Sequence, residues 1–470
     1  MFKKSVWKYI GKVLIGLSIL FIFPILVALI YRESVLPFFI TSIISLVIGL
    51  FLNELKVEDA KIYTRDGLLI VSLSWIVMSL IGCLPFVLSG SCGFVDALFE
   101  TVSGFTTTGA SIFSDIEHLS RSIIFYRPFT HFIGGMGILT FVMAIIPLTK
   151  KDNSMHILKA EMPGPSVSKL VPSTKKTLLY LYIIYIGLTL LEAILLLIGG
   201  MPLFDSIVLS IGTAGTGGFS VLNSSLATYS VFCKYVVAIF MFLFGINFYI
   251  YFLIIMKDFK NIFKSEELKV YIGLFCVAVA FIFINTVSQF SSSKEAFLEA
   301  FFHVSSIMTS TGYSVGDINI YPTTCRLLFL GLMLISACAG STCGGFKISR
   351  LIIIFKTIKR DLQKIIYPSR IKTVIFEGKK LDDDIIHNTC SFMYLYFIIL
   401  FVIIFIVAFN GFSFSETVNA VFTTFGNVGF CFEVSNFSEF SILSKIVLSF
   451  GMLLGRLEIF PFIVLFSKKY

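Results

Sequence analysis

Four glycines, Gly109, Gly218, Gly312 and Gly429, sit in short runs of small and hydroxyl residues: SGFTTTGAS, GTAGTGGFS, MTSTGYSVG and TTFGNVGFC. An acidic residue lies 13 positions before each of them, at Asp96, Asp205, Glu299 and Glu416. An aromatic precedes each acid, at Phe94, Phe204, Phe297 and Phe414, and a basic residue follows each run, at Arg127, Lys234, Arg326 and Lys445. A shared offset of this kind marks an internal repeat, here with separations of 109, 94 and 117 residues between the glycines.

These residue types suit one chemistry. A carboxylate at a helix start satisfies free N–H groups and complements the positive end of the dipole. The short helix then directs its partial negative end at the Gly-rich run, where glycine permits backbone angles closed to other residues. Four such ends converging on one point favour a cation. Successive carbonyls facing an axis replace an ion's hydration shell, as in a potassium filter. The candidate ligands are Thr107, Thr108 and Gly109; Thr216, Gly217 and Gly218; Ser310, Thr311 and Gly312; and Asn427, Val428 and Gly429.

The elements that must position them are apolar. Of 470 residues, 57% are hydrophobic and 14% charged, well below the roughly 25% charge of a soluble domain. Long apolar segments near 13–30, 36–53, 67–90, 122–148, 177–199, 231–256, 270–288, 326–355, 390–409 and 440–466 predict ten crossings. The first, Val13–Ile30, has no small-residue cleavage site and is expected to be a retained helix. The four Gly-rich stretches, 96–113, 205–220, 299–314 and 416–432, are too short to cross and read as re-entrant segments. Irregular backbone at membrane depth requires burial in protein or a water-filled cavity, and four such stretches suggest one shared cavity.

The formal charge of +9 needs no nucleic acid, because about 28 of the 37 Lys and Arg fall on one face of this scheme. That face is cytoplasmic by the positive-inside rule, and both termini lie on it. The nine cysteines are scattered without a C-x-x-C pair and read as buried apolar fillers. His131 and His303 read as structural residues. The sequence offers no nucleophile–base pair, phosphate loop or metal spacing, so an enzyme is not expected.

Two further features call for a role. Arg456 lies within the last apolar segment, where an unpartnered charge costs at least a few kcal/mol. It is read as a barrier in the ion path, with a structural pair to Glu458 or another buried carboxylate, or a snorkelled end, as the bland alternative. The run Ala339 to Lys347 places Gly340, Ser341, Thr342, Gly344, Gly345 and Lys347 at mid-membrane, where no good helix forms. It is read as a gating loop.

At these motifs the chain resembles the Trk/Ktr/HKT superfamily of potassium transporters, and within it the Trk branch. TTTGAS at 106–111, FIGGMGILTF at 132–141, LKAEMPGPSVSKL at 158–170, AGSTCGGFKISR at 339–350 and GMLLGRLEIFP at 451–461 carry the resemblance. It covers essentially the whole chain. It implies an all-α membrane protein with two N-terminal transmembrane helices and four helix–pore loop–helix repeats around one cation pore. The division follows as an extension at 1–60, repeats at 61–150, 151–260 and 261–360, and a cytoplasmic connector with the fourth repeat at 361–470. The resemblance further implies potassium as the transported ion, a homodimer in a bacterial plasma membrane, and a cytoplasmic nucleotide-binding regulatory subunit. The basic segment 350–389, with Lys359, Arg360, Lys364 and Arg370, is expected to help dock that subunit. In HKT relatives serine at the first filter glycine accompanies sodium transport, whereas Gly109 accompanies potassium. Phe430 and Cys431 depart from the small residues or proline expected after the fourth glycine. That departure keeps a sodium or poorly selective cation pathway open as an alternative.

Overall fold

The computed structural model describes residues 4–55, 63–137, 174–316, 320–367, 372–432, 434, 436–457 and 459–466. The 158–170 motif, Arg370, Glu458 and the terminal Lys468-Lys469 lie outside them. Among the described residues the regular elements are helices apart from one hairpin, Ile375–Phe376 with Lys379–Lys380. Six helices are long and apolar enough to cross a membrane: Lys4–Ile30, Leu36–Asn53, Arg65–Leu88, Leu179–Ile198, Glu266–Gln289 and Asp383–Ala408. The first two form the N-terminal pair, and the other four each open a repeat.

The N-terminal pair crosses where Gly11 meets Gly49. A Cβ on Gly11 would stand 2.8 Å from the Gly49 carbonyl oxygen, and one on Gly49 would stand 2.9 Å from that of Gly11. Small residues let the backbones meet, and Ser45 Oγ donates to the Leu14 carbonyl at 2.8 Å across the gap.

Each opening helix is followed by a short helix: Phe94–Phe105, Leu203–Gly215, Ser293–Met308 and Phe414–Phe425. A closing helix comes next, and here the structure differs from the sequence reading. The 231–256 segment is not one straight helix: Val231–Phe244 and Phe248–Ile255 meet at 93°. The 326–355 segment divides into Thr323–Leu334 and Ile348–Ile366 around residues 335–347, as the glycines there predict. The last segment divides into Ile442–Leu457 and Ile459–Phe466. In repeat 1 the closing helix is Arg121–Gly135. The breaks are tolerated because other parts of the chain satisfy the freed backbone groups. At 245–247, Cys338 N–H donates to the Gly245 carbonyl and Phe248 N–H to the Gly340 carbonyl, both at 3.1 Å. Loop 335–347 thus fills the break in the neighbouring repeat.

The cysteine reading is corrected in part. Cys83, Cys233, Cys325, Cys338 and Cys343 are buried, but Cys276 is exposed and Cys92, Cys390 and Cys431 are half-buried. A residue on the outward face of a membrane helix is apolar without being internal.

Glu33, in the turn of the N-terminal pair, caps the closing helix of repeat 1. Its carboxylate accepts Arg121 N–H at 2.6 Å, Ser122 N–H at 2.9 Å and the Ser122 hydroxyl at 2.6 Å. Glu33→Ala is expected to cost about 1–2 kcal/mol through the lost cap and its charge–dipole interaction. Thermal unfolding in detergent checks it: a lowered midpoint is expected, and an unchanged one removes Glu33 from this role.

Candidate ion pathway

The short helices end in one conformation, repeated four times. Thr107, Thr216, Ser310 and Asn427 have φ of 57°, 52°, 51° and 55°, and the glycines two positions on have φ of 82°, 82°, 86° and 77°. The intervening N–H groups turn back to the helix: Thr108 to Ser103, Gly217 to Gly212, Thr311 to Ser306 and Val428 to Thr423, at 2.8, 3.0, 2.8 and 2.8 Å. This closes each helix C-terminus as a left-handed cap. Three of the four cap residues are Thr or Ser rather than glycine, so the geometry carries strain of order 1 kcal/mol each.

The four caps form a closed ring. A Cβ on Gly109 would lie 2.0 Å from the Gly217 carbonyl oxygen, and one on Gly218 would lie 2.1 Å from that of Thr311. On Gly312 it would lie 2.1 Å from the Val428 oxygen, and on Gly429 it would lie 2.0 Å from the Thr108 oxygen. Each repeat touches the next, and the fourth returns to the first. Eight of the twelve sequence-predicted residues meet directly in these contacts, at the C-terminal ends of four short helices whose dipoles are negative there. Such an arrangement can hold a partly dehydrated monovalent cation.

The acids behave less uniformly than expected. Glu416 makes a capping box with Ser413, whose N–H it accepts at 2.8 Å. Asp96 instead receives Lys445 Nζ from repeat 4 at 2.6 Å, and Asp205 the Tyr229 hydroxyl at 2.9 Å. Glu299 is not in the first turn. Ser292 starts that helix early, and Glu299 faces His303 Nδ1 at 3.3 Å.

Behind the ring stands a support that sequence reasoning missed. Glu100, fully buried, accepts Arg127 Nε at 2.7 Å and Ile112 N–H at 2.9 Å. The Arg127 guanidinium lies 4.2 Å from the Phe219 ring centroid, so repeat 1 braces repeat 2. A carboxylate inside an apolar helix was the available signal, since a charge there demands a partner. His131 and His303 are structural in geometry. His131 Nδ1 is 2.8 Å from the Gly104 carbonyl, and its ring fills the space beside Gly217. His303 Nδ1 is 2.9 Å from the Tyr321 hydroxyl. Phe430 is buried against His303, ring centroids 6.0 Å apart, and occupies the position of Phe219 and Tyr313 after their glycines. It pads the joint with repeat 3.

Directly beneath the ring lies loop 335–347. Gly344 N–H donates to Ser310 Oγ at 3.2 Å, and a Cβ on Gly344 would stand 2.6 Å from that of Asn427. Asn427 Nδ2 in turn donates to Thr108 Oγ1 and to the Met452 carbonyl, both at 2.9 Å. Arg456 donates to the Thr342 carbonyl of the loop and to the carbonyls of Gly134 and Gly135 at 2.7 and 2.8 Å. Lys347, buried, donates to the carbonyls of Cys343 and Gly344. Three successive loop carbonyls are thus held by cationic side chains. Gly340 and Gly345 take φ of 70° and 72°, Gly345 N–H donates to the Gly455 carbonyl at 3.2 Å, and Ser341 Oγ closes on the Cys338 carbonyl at 2.6 Å. The loop is ordered and cross-tied.

The two ion pairs near the ring should differ in weight. Arg127→Ala strands a fully buried carboxylate and is expected to cost about 3–5 kcal/mol. Lys445→Ala leaves Asp96, whose side chain is 33% exposed, and is expected to cost about 1 kcal/mol or less. Unfolding of both variants in detergent checks the ordering; equal losses would contradict the brace.

Comparison with known proteins identifies the family. Residues 35–470 match the family described as TrkH, cation transport protein. The chain is 33% identical to the Trk system potassium uptake protein TrkG of Escherichia coli K12, covering 94% of this chain and 93% of that one. It is 32% identical to TrkH of Salmonella typhimurium, over 99% of each chain. The crystal structure of the potassium transporter TrkH from Vibrio parahaemolyticus superposes with a TM-score of 0.89 at 28% identity, covering 99% of both chains. The relatives are transporters and not enzymes. With a match across nearly its whole length, a shared helical membrane fold and the same named activity class among its relatives, the chain belongs to the TrkH family of cation transport proteins.

Proposed function

We propose that this chain takes up potassium across a bacterial plasma membrane through the ring of four Gly-containing segments. The closed contact of each filter glycine with the preceding carbonyl of the next repeat carries the reading. The potassium-uptake activity named for its relatives supports it. A potassium ion exchanges water for the carbonyls of the four runs, where four helix C-termini add negative potential. Potassium is cargo here, and catalysis is no part of the reading.

Beneath the filter, loop 339–347 and Arg456 close the path. Arg456, from repeat 4, places a fixed positive charge below a cation site and ties the loop of repeat 3 to repeat 1. Opening withdraws the loop, which its glycines permit. A cytoplasmic nucleotide-binding regulatory subunit acts on the inner face through the basic 350–389 segment, and the transporter works as a homodimer with both termini cytoplasmic. The sodium or poorly selective alternative rests on Phe430 and Cys431; the packing of the Phe430 ring on His303, behind the ring, supports the potassium reading.

Gly109→Ser tests the filter. The added Cβ has no room beside the Gly217 carbonyl and must displace it. Sodium flux relative to potassium in proteoliposomes is expected to rise several-fold, while the parent chain rescues potassium-uptake-deficient bacteria at low potassium. A ratio unchanged from the parent would remove Gly109 from the filter.

A further inference from the structure

Below the loop, the hairpin at 375–380 is bound to repeat 3 in an unusual way. Its turn residues Glu377 and Gly378 have φ of 49° and 73°, the pair of positive angles that a two-residue type I′ turn requires. Asparagine, aspartate or glycine suits the first of these positions, and glutamate pays local strain there. The longer side chain has a use. Its carboxylate accepts the Ser265 hydroxyl and Glu267 N–H, both at 3.0 Å, and so caps the helix Glu266–Thr286 from outside. Lys356 secures the same corner by pairing with Glu266 and donating to the Ile375 carbonyl at 2.7 Å. Val374 and Phe376 are buried in the cluster that also holds Ala337, Cys338, Cys343 and Ile348.

The capped helix reaches the loop through its second residue. Glu267 is 5% exposed, and its Oε1 accepts Ala339 N–H at 2.7 Å. Ala339 opens the run that ends under the filter, and its neighbour Gly340 accepts Phe248 N–H in the break of repeat 2. From the inner surface to the filter, the contacts run Glu377 to the Ser265–Glu267 helix start, Glu267 to Ala339, and Gly344 to Ser310 Oγ.

We infer that Glu377 and Glu267 are positioning residues that hold the loop closed, so that a pull on the 375–380 hairpin from the inner face releases it. The inference rests on the proposed gate. A hydrogen bond to a carboxylate is strong enough that its loss shifts a two-state loop by about tenfold in population. The two bonds lie in series, so removing either should release the loop and removing both should add little.

Rubidium uptake into vesicles holding this chain alone tests it. Arg456→Ala, Glu267→Ala and Glu377→Ala are each expected to raise uptake about tenfold, without a change in the potassium-to-sodium ratio. Glu267→Gln and Glu377→Gln keep an acceptor oxygen and should stay within about twofold of the parent, as should Lys379→Ala on the same hairpin. The Glu267→Ala, Glu377→Ala double variant should be no faster than Glu267→Ala. If Arg456→Ala rises while both glutamate variants stay at the parental rate, the linkage is wrong and the gate stands. If Arg456→Ala does not rise, the gate and the linkage fall together. Backbone hydrogen exchange of the 336–346 segment in the full-length protein gives a reading independent of flux. Faster exchange in Glu377→Ala than in Lys379→Ala is expected, and equal exchange would overturn the inference.

Discussion

No room exists for a side chain at four points, and that constraint organises the molecule. A Cβ at Gly109, Gly218, Gly312 or Gly429 would fall within 2.0–2.1 Å of a carbonyl oxygen from another repeat. Glycine there permits both the positive φ and the approach of the next backbone. Four repeats that differ widely in side chains can then share one backbone ring. The rest of the structure holds that ring shut from outside, through Glu100 and Arg127, the Lys445–Asp96 pair that joins the fourth repeat to the first, and the aromatic residues after three of the glycines.

Irregular backbone at membrane depth must be satisfied by protein, and here the irregular pieces satisfy one another. The loop of repeat 3 fills the break in repeat 2, donates to Ser310 in the Gly-rich run of repeat 3 and accepts from Arg456 at the end of repeat 4. A movement of the loop therefore cannot be local. Displacing it would leave backbone groups of two repeats and a guanidinium without these partners.

Much of this was legible in the sequence. The 13-residue offset put all four glycines at one position of the ring, and the glycines of 339–347 announced a loop inside an apolar segment. Other features were not legible because they depend on distant partners. The break at 245–247 has only Gly245 and the helix-capping Asn247 as local signals, and it is stabilised by Cys338 and Gly340 from another repeat. Glu299 keeps its offset from Gly312 while Ser292 starts the helix earlier, so an offset fixed the ring but not the helix end. Glu267 and Glu377 are 110 residues apart and carry no local signal of their contact. Asp96, Asp205 and Glu416 all lie in the first turn of their helices, but only Glu416 bonds its own cap residue, Ser413, three residues away. Asp96 and Asp205 are taken by tertiary partners, and Glu299 lies beyond the first turn.

The central claim is that the carbonyl ring binds the transported ion. Its most direct measurement is anomalous diffraction from crystals of this chain grown in rubidium. A rubidium peak is expected on the ring axis, bounded by the carbonyls of Thr108, Gly217, Thr311 and Val428, and lost when sodium replaces rubidium. Anomalous density that avoids the ring in protein active for uptake would contradict it.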